Sequence, residues 1–493
     1  MSGVFVKMAQ ALAPTHEPFF VSISGRVDSV LSRENVPPAT TMNLEKYVTH
    51  NLGEIGKTPQ FVKLQEKYSA RQLREIYWQD FALRRANEND LASAYNKHLQ
   101  KKTLAYIAAW LEILAKHKPG LVLSWDGTSL YDTTAFEACR TTRTPMLFCN
   151  GMGPVISLNP IKVWVYWDST NMLDSWVEKK FFDEKPTLEE RERAEKYIDE
   201  IAGKKQVRGG RPRRILTFKN VRKYLRFVLE YVTKEEHGSY HNPVRLAKAR
   251  LQQMLRPRLV EKFYAKEPIE ELLKKKFVFF ALQTPDDAQL NSRAPQFEEQ
   301  NKLSLKLADS LPAGTLLYVK EHPMGIGLYP PSWFEKIAAC PQIRLIPPTV
   351  SSHDLMDKAL CTVTINSTVG WESIFHCKRP VVLANPFYAG FGLSFDYTGR
   401  GTSELAGLIR KAIAAKPIPR ETLVRFINAV LKSQRPFAFY KPENGSFAFD
   451  YSERTAKGVA LALKDAFERK FRKKFELPSW EKEMQADSAK QEF

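Results

Sequence analysis

The sequence predicts an α/β protein built on parallel sheets, and three observations carry that prediction. Short apolar runs end repeatedly on polar or glycine turns, as Leu121–Trp125 does before Asp126-Gly127. Between such runs lie longer segments with apolar residues at helical spacing, such as Leu104, Ile107, Trp110, Leu111 and Leu114. The two kinds of segment alternate, which predicts strand–helix–strand crossovers onto a parallel sheet. The 493 residues give room for two domains of about 200 residues each.

Taken in order, Phe19–Arg26 reads as a strand running into a glycine turn, and residues from about 58 to 118 read as helical. Pro119-Gly120 stops that helix. Leu121–Trp125 is a short strand, Tyr131–Arg140 a helix and Pro145–Cys149 the next strand. The middle of the chain is different: ten Lys or Arg and no acid lie between Lys204 and Arg226, which reads as a solvated basic linker. Helical segments run on to about Lys276. A second alternating series then begins, with strands at Phe277–Leu282, Thr315–Lys320, Ile343–Ile346, Leu360–Ile365 and Pro380–Ala384. Helices are expected over Phe297–Ser310, over Ser352–Lys358 and from Val369. The expected organisation is a Rossmann-like domain at 1–202, a basic linker or helical insertion at 203–270, a second Rossmann-like domain at 271–450, and a basic C-terminal helix and tail at 451–493.

Composition narrows the class. With 43% hydrophobic and 26% charged residues the chain is neither disordered, collagenous nor a coiled coil. No apolar run approaches the ~20 residues of a membrane span, and the N-terminus has no secretory pattern. The five cysteines, Cys139, Cys149, Cys340, Cys361 and Cys377, form no C-x-x-C pair, so a reducing cytoplasm is the simplest expectation and structural zinc is not expected. The net charge of +19 implies an anionic partner. Nucleic acid ranks last, because no recognition motif accompanies the charge. In the C-terminal helix, Lys464, Arg469, Lys470, Arg472, Lys473 and Lys474 mix with Phe467, Phe471 and Phe475. That pattern fits either an anionic membrane surface or packing of the phenylalanines on the domains.

In a doubly wound sheet, ligands bind beyond the carboxyl ends of the strands, and four turns there are rich in polar residues. The first is Leu282–Gln289, with Gln283 and Asp287; the second is Lys320–Gly325, with Glu321, His322 and Pro323. The third is Asn366–Glu372 and the fourth Asn385–Gly392. The third has the clearest physical logic. Asn366, Ser367 and Thr368 offer polar side chains at a helix mouth, where free N–H groups and the dipole favour an anion such as a phosphate. Gly370 permits close approach of a neighbour, and Glu372, one turn in, is placed to reach a ribose hydroxyl. Ser or Thr as an ordinary helix cap is the alternative. Pro323 restrains His322 to an extended backbone and so fixes where its ring points; donation to a phosphate or action as an acid is one reading, a structural strand-end histidine the other.

The order of these turns, Q-x-P-x-D-x-Q, K-E-H-P, N-S-T-x-G-x-E and K-x-P-V, resembles the bacterial capsular polysaccharide biosynthesis and export family, which includes β-Kdo transferases. The residues that carry the resemblance are Gln283, Pro285, Asp287 and Gln289; Lys320, Glu321, His322 and Pro323; Asn366, Ser367, Thr368, Gly370 and Glu372; and Lys378, Pro380 and Val381. The His-Pro turn followed by a Ser/Thr turn also looks like the CMP-binding arrangement of bacterial sialyltransferases. The resemblance covers about a quarter of the chain, from Phe277 to Gly392.

It implies a GT-B-like fold of two Rossmann-like domains facing a cleft. It further implies a glycosyltransferase acting at the inner face of the membrane, with a nucleotide-sugar donor, CMP-Kdo first, and a lipid-linked or glycan acceptor. Capsule export machinery is a further implied partner. On the resemblance, His322 with Ser367 and Thr368 would hold the donor phosphate, Glu372 and the backbone near Met324–Gly327 would hold ribose or base, and Gln283 would line the site. Glu321, Pro323, Asn366 and Gly370 complete the implied site. No cofactor or metal is implied, and no D-x-D pair stands at a strand end. Related proteins tend to carry an acid before a glycine at the end of a first-domain strand, where this chain has Asn150-Gly151. Asp126 and Asp287 are therefore the candidate catalytic carboxylates beside His322. A non-catalytic partner in capsule biosynthesis or export, or an NDP-sugar epimerase of the same fold, are the alternatives.

Overall fold

The computed structural model describes residues 2–77, 92–125, 127–150, 164–166, 177–202, 221–222, 225, 229, 243–285, 287–291, 293–433, 440–443, 446–449, 452–482 and 484. The chain divides into two compact units. The first is Met1–Ser169, Lys234–Tyr240 and Gln434–Phe493; the second is Thr170–Thr233 and His241–Ser433. The second unit thus starts at Thr170, ahead of the boundary expected at residue 202. The reason is local: helix Leu188–Ala202 packs on helix Arg420–Ser433, where Arg420 meets Glu195 at 2.6 Å and Asp199 at 2.7 Å.

In the first unit, strands β1 (Phe20–Ser22) and β2 (Thr41–Asn43) pair in parallel. Strand β3 (Val122–Ser124) pairs in parallel with β4 (Met146–Asn150), which takes β5 (Trp164–Tyr166) antiparallel. The strand expected to reach Arg26 stops at Ser22, because Ser24 takes an extended N-cap conformation and a helix, Gly25–Arg33, begins where a turn was expected. The helical region expected from 58 to 118 is divided, with Pro59–Lys67, Ala70–Tyr77 and Ala94–His117 among its described residues. The last of these is started by the Ser93 side chain, which accepts from Asn96 N–H, and ends on Lys118 in the left-handed conformation ahead of Pro119. It packs on helix Leu130–Thr142, whose Ser129–Asp132 pair forms a capping box. Between the helices Glu45 is buried, held by Lys102 Nζ at 2.7 Å and by the hydroxyls of Tyr106 and Tyr131. A buried charge is tolerated only when paired and hydrogen-bonded in this way.

The C-terminal helix, Glu453–Phe471, belongs to the first unit. It packs on the N-terminal helix Ser2–Leu12, and Phe467 and Phe475 are buried in one cluster with Met8, Leu12, Leu147 and Cys149. Trp480 Nε1 ties the tail down by donating to the carbonyl of Ala11 at 2.9 Å. Of the two readings of this helix, packing is the one observed, with Phe467 buried and Phe471 partly buried against the same cluster.

The second unit holds one six-stranded, all-parallel sheet of β6 (Phe277–Ala281), β7 (Leu316–Lys320), β8 (Ile343–Ile346), β9 (Cys361–Thr364), β10 (Val381–Val382) and β11 (Phe395–Asp396), in the spatial order β11-β10-β9-β6-β7-β8. Counted from β6, that is the 3-2-1-4-5-6 order of dinucleotide-binding sheets, with its switch point between β6 and β9. All five residues of β6 are buried, as expected for a central strand covered on both faces by crossover helices. The α/β class with parallel sheets is therefore observed, and the strand order of the second unit fits the GT-B-like fold expected for the chain. Among the described residues no helix is long and apolar enough to cross a membrane.

Candidate functional site

The polar turns named from the sequence collect at the carboxyl ends of the parallel strands. At the switch point, Gln283 follows β6 and Asn366 follows β9, and Gln283 Nε2 donates to Asn366 Oδ1 at 2.9 Å. Both residues are buried. Gln283 is fixed from three further directions: its N–H donates to Gln300 Oε1 at 2.7 Å, and its carbonyl accepts from Gln300 Nε2 at 2.8 Å and from the Tyr329 hydroxyl at 2.7 Å. Asn366 Nδ2 donates to the carbonyl of Gln289 at 2.8 Å. This network locks the β6 and β9 turns into one floor. Gln283 Oε1 has no hydrogen-bond partner among the described residues.

Ser367 caps helix Thr368–Phe375 in an extended conformation. Its hydroxyl accepts from Val369 N–H at 3.3 Å and meets Thr364 Oγ1 at 2.8 Å. Thr368, at the first position of the helix, is exposed. The close approach at Gly370 is made by protein: a Cβ there would stand 2.1 Å from the Tyr388 hydroxyl and 2.6 Å from Thr364 Cγ2. The same hydroxyl donates to the carbonyl of Ser367 at 3.1 Å, so Gly370 lets Tyr388 brace the capping turn.

At the end of β7, His322 is the N-cap of the short turn Pro323–Gly325, and its Nδ1 accepts from Met324 N–H at 3.1 Å. With Nδ1 an acceptor, the ring proton sits on Nε2, which leaves Nε2–H as a donor. Burial, aided by the neighbouring Lys320, holds the imidazole pKa below its ordinary value and favours this neutral form. Lys320 Nζ donates to Ser352 Oγ at 3.2 Å. Burial lowers its pKa to about 8, while Glu321 and Glu372 oppose that shift.

Glu321 faces inward. It accepts from the Tyr264 hydroxyl and from the Gly327 N–H, and burial raises its pKa to about 7. Its place is under the His322 turn. Gly327, at φ +78°, lies against the carbonyl of Gln253 on helix Pro243–Val260, where a Cβ would come within 2.2 Å. Pro257, four residues on in the same helix, has no N–H to donate to that carbonyl. On the other flank, His353 Nε2 stands 3.9 Å from Glu372 Oε2, and His353 Nδ1 is 3.2 Å from His376 Nε2.

Asp287 starts the short helix Ala288–Asn291, its Oδ1 accepting from Gln289 N–H at 2.9 Å, so its geometry is that of a capping residue. Asp126 lies outside the described residues. Lys378 caps helix Ser352–Lys358, donating to the carbonyl of Asp357, to that of Met356 at 3.0 Å and to that of Ala359 at 2.8 Å. Tyr388 stands in the fourth polar turn, where the sequence assigns it no role; Gln300 and Tyr329 are the structural members of the site that sequence reasoning missed. Each sits in a segment that reads as core or loop, with only a polar atom to mark it. Among the described residues no group of three or more His, Cys, Asp or Glu is arranged to hold a metal ion.

Residues 193–405, a little under half of the chain, match the family model described as capsule polysaccharide biosynthesis protein. No curated protein matches. Among solved structures, the KpsC beta Kdo 2,7 transferase of Thermosulfurimonas dismutans is similar at 13% identity and TM-score 0.35, over 82% of this chain and 98% of that one. The KpsC beta Kdo 2,4 transferase of the same organism is similar at 15% identity and TM-score 0.28, over 72% and 94%. MnaA of S. aureus, in a co-structure with UDP, is similar at 14% identity and TM-score 0.26, over 94% of both chains. The matched stretch contains all six strands of the second unit's sheet and all four polar turns at its carboxyl edge, and over that stretch this chain is similar to the capsule polysaccharide biosynthesis family.

Proposed function

We propose that the protein is a glycosyltransferase of capsule or surface-polysaccharide biosynthesis, whose second unit holds a nucleotide-activated sugar, CMP-Kdo as the first choice. The observation that carries this reading is the switch point itself. There the Gln283–Asn366 bridge fixes the turn from which Ser367 opens a helix, and the next strand end presents His322 with its proton on Nε2. A helix N-terminus and a neutral imidazole donor suit a phosphodiester. Such donors are set before the reaction and gain strength as charge develops on a departing phosphate. Ser367, Thr368 and His322 hold the phosphate in this reading, Glu372 holds a ribose hydroxyl, and Glu321 and Pro323 hold the His322 turn. Gln283 Oε1 is left as an acceptor for a donor group on the ligand. Asp126 is the proposed acceptor-side carboxylate, with Asp287 as the second candidate. The acceptor is a lipid-linked or growing glycan, so the protein works at a membrane surface, with capsule export machinery as a neighbour.

The test is transfer. Purified protein, CMP-Kdo and a short lipid-linked glycan should release CMP only when the acceptor is present, with a matching gain of mass on the glycan. CMP release without glycan extension, or conversion of a free UDP-sugar to its epimer, contradicts the reading.

A further inference from the structure

Helix Pro243–Val260 turns a row of leucines outward. Leu251, Leu255 and Leu259 are 56%, 49% and 54% exposed. Steps of four residues place them in one row on one helix face, about 12 Å long at the helical rise. Lys248 and Arg258, both exposed, fall on that same face by helical angle. The other side of the helix is committed: Val260 is buried in the core of the second unit, Arg256 donates to the carbonyl of Leu328 at 2.9 Å, and the Gln253 carbonyl meets Gly327. The leucines are therefore not the packing face of this helix. Contiguous exposed apolar surface of this kind marks an interaction site.

Charge selects the occupant. The helix carries Arg245, Lys248, Arg250, Arg256 and Arg258 and no acidic residue. It follows the stretch Lys204–Arg226, with ten basic residues and no acid. Val221 and Leu225 of that stretch, again four apart, are 42% and 61% exposed. A second copy of the chain would set like charges against each other, which opposes association. A surface of anionic lipid accepts both features, leucines in the headgroup–acyl boundary and basic side chains on the phosphates.

We propose that the Leu251–Leu255–Leu259 face is the membrane-docking surface of this protein and that it binds anionic lipid. The inference rests on the reading of a lipid-linked acceptor and supplies the surface that reading needs, now that the phenylalanines of the C-terminal helix are seen to pack against the first unit's own cluster. Because the same helix backs the Gly327 turn, docking sets the nucleotide site at a fixed position relative to the bilayer.

The experiment is vesicle flotation of the full chain with phosphatidylcholine alone and with about one third phosphatidylglycerol. Three proteins are compared: wild type, Leu251→Gln/Leu255→Gln/Leu259→Gln, and Lys248→Glu/Arg258→Glu. Thermal shift by CMP is measured on each as a readout of an intact nucleotide site. Wild type should float with the anionic vesicles only, and each variant should lose about tenfold in vesicle-bound fraction while keeping the CMP shift. Failure of wild type to float, or flotation of both variants like wild type, overturns the inference. So does loss of dimerisation in the leucine variant by light scattering with no vesicle binding by wild type, which assigns the face to protein. A retained CMP shift without flotation overturns this inference alone, whereas flotation without any nucleotide shift leaves the docking face standing and counts against the donor site.

Discussion

Gln283 and Asn366 lie 83 residues apart in sequence and meet through one hydrogen bond of 2.9 Å at the switch point of the second sheet. Each is buried; the Gln283 main chain is held by the side chains of Gln300 and Tyr329, and the Asn366 amide holds the main chain of Gln289. Removing the Asn366 amide strands a buried amide on Gln283, which costs about 1–3 kcal/mol. Asn366→Ala should lower stability by that amount in chemical denaturation and weaken nucleotide binding at any temperature where the protein stays folded. An unchanged denaturation midpoint would show that the bridge does not hold the floor of the site.

Gly370 is required by Tyr388 in this structure. Gly370→Ala drives a methyl against the Tyr388 hydroxyl and Thr364, and overpacking of that kind costs about 1–3 kcal/mol. Adding Tyr388→Phe removes the hydroxyl and should recover part of the loss, measured as a double-mutant cycle on denaturation midpoints. Strict additivity of the two substitutions would contradict the contact.

The Glu321–Lys320 pair makes stability depend on pH in two opposed windows. The folded Glu321 carboxyl holds its proton up to about 7, above the ordinary carboxylate range, so stability falls as pH rises from the unfolded value toward 7. The folded Lys320 ammonium loses its proton near 8, below its ordinary value, so stability rises again as pH climbs from about 8 toward the unfolded value. Glu321→Gln removes the first window. It should gain on wild type by up to about 3 kcal/mol between pH 5 and pH 7.5, from the size of the shift. Denaturation curves at the two pH values check this, and equal slopes for the two proteins would contradict it.

Phe467 lies in a cluster built by both ends of the chain. Phe467→Ala should destabilise the first unit by about 3–5 kcal/mol, read by denaturation followed through a probe in that unit. A stability equal to wild type, with only membrane binding lost, would return this helix to the lipid surface.

Much of the second unit was legible in the sequence because its strands are continuous apolar runs bounded by turn residues. Phe277–Ala281, Leu316–Lys320, Ile343–Ile346 and Cys361–Thr364 all lie where those runs predict strands. The edge strand Phe395–Asp396 was missed because a two-residue pairing leaves no periodicity to read. The helix expected over Phe297–Ser310 opens as a 3-10 turn, Pro295–Phe297, and becomes α-helical only from Gln300. In the site, the capping chemistry of Ser367 and the backbone restraint on His322 are local and could be read. The inward turn of Glu321 toward Tyr264, the Tyr388 contact behind Gly370 and the use of Lys378 as a helix cap depend on partners distant in sequence. The same holds for the C-terminal helix, whose apolar face suited lipid and protein equally until the N-terminal helix was seen to cover it.

The most direct measurement of the central claim is thermal stabilisation by CMP, CDP, UDP, GDP and ADP, on wild type and on His322→Ala. A ligand at 100 times its dissociation constant stabilises by about 2.7 kcal/mol. A shift selective for CMP that His322→Ala abolishes is the predicted result. No shift with any of the five nucleotides, or a CMP shift of equal size in both proteins, would contradict a CMP-sugar site at the switch point.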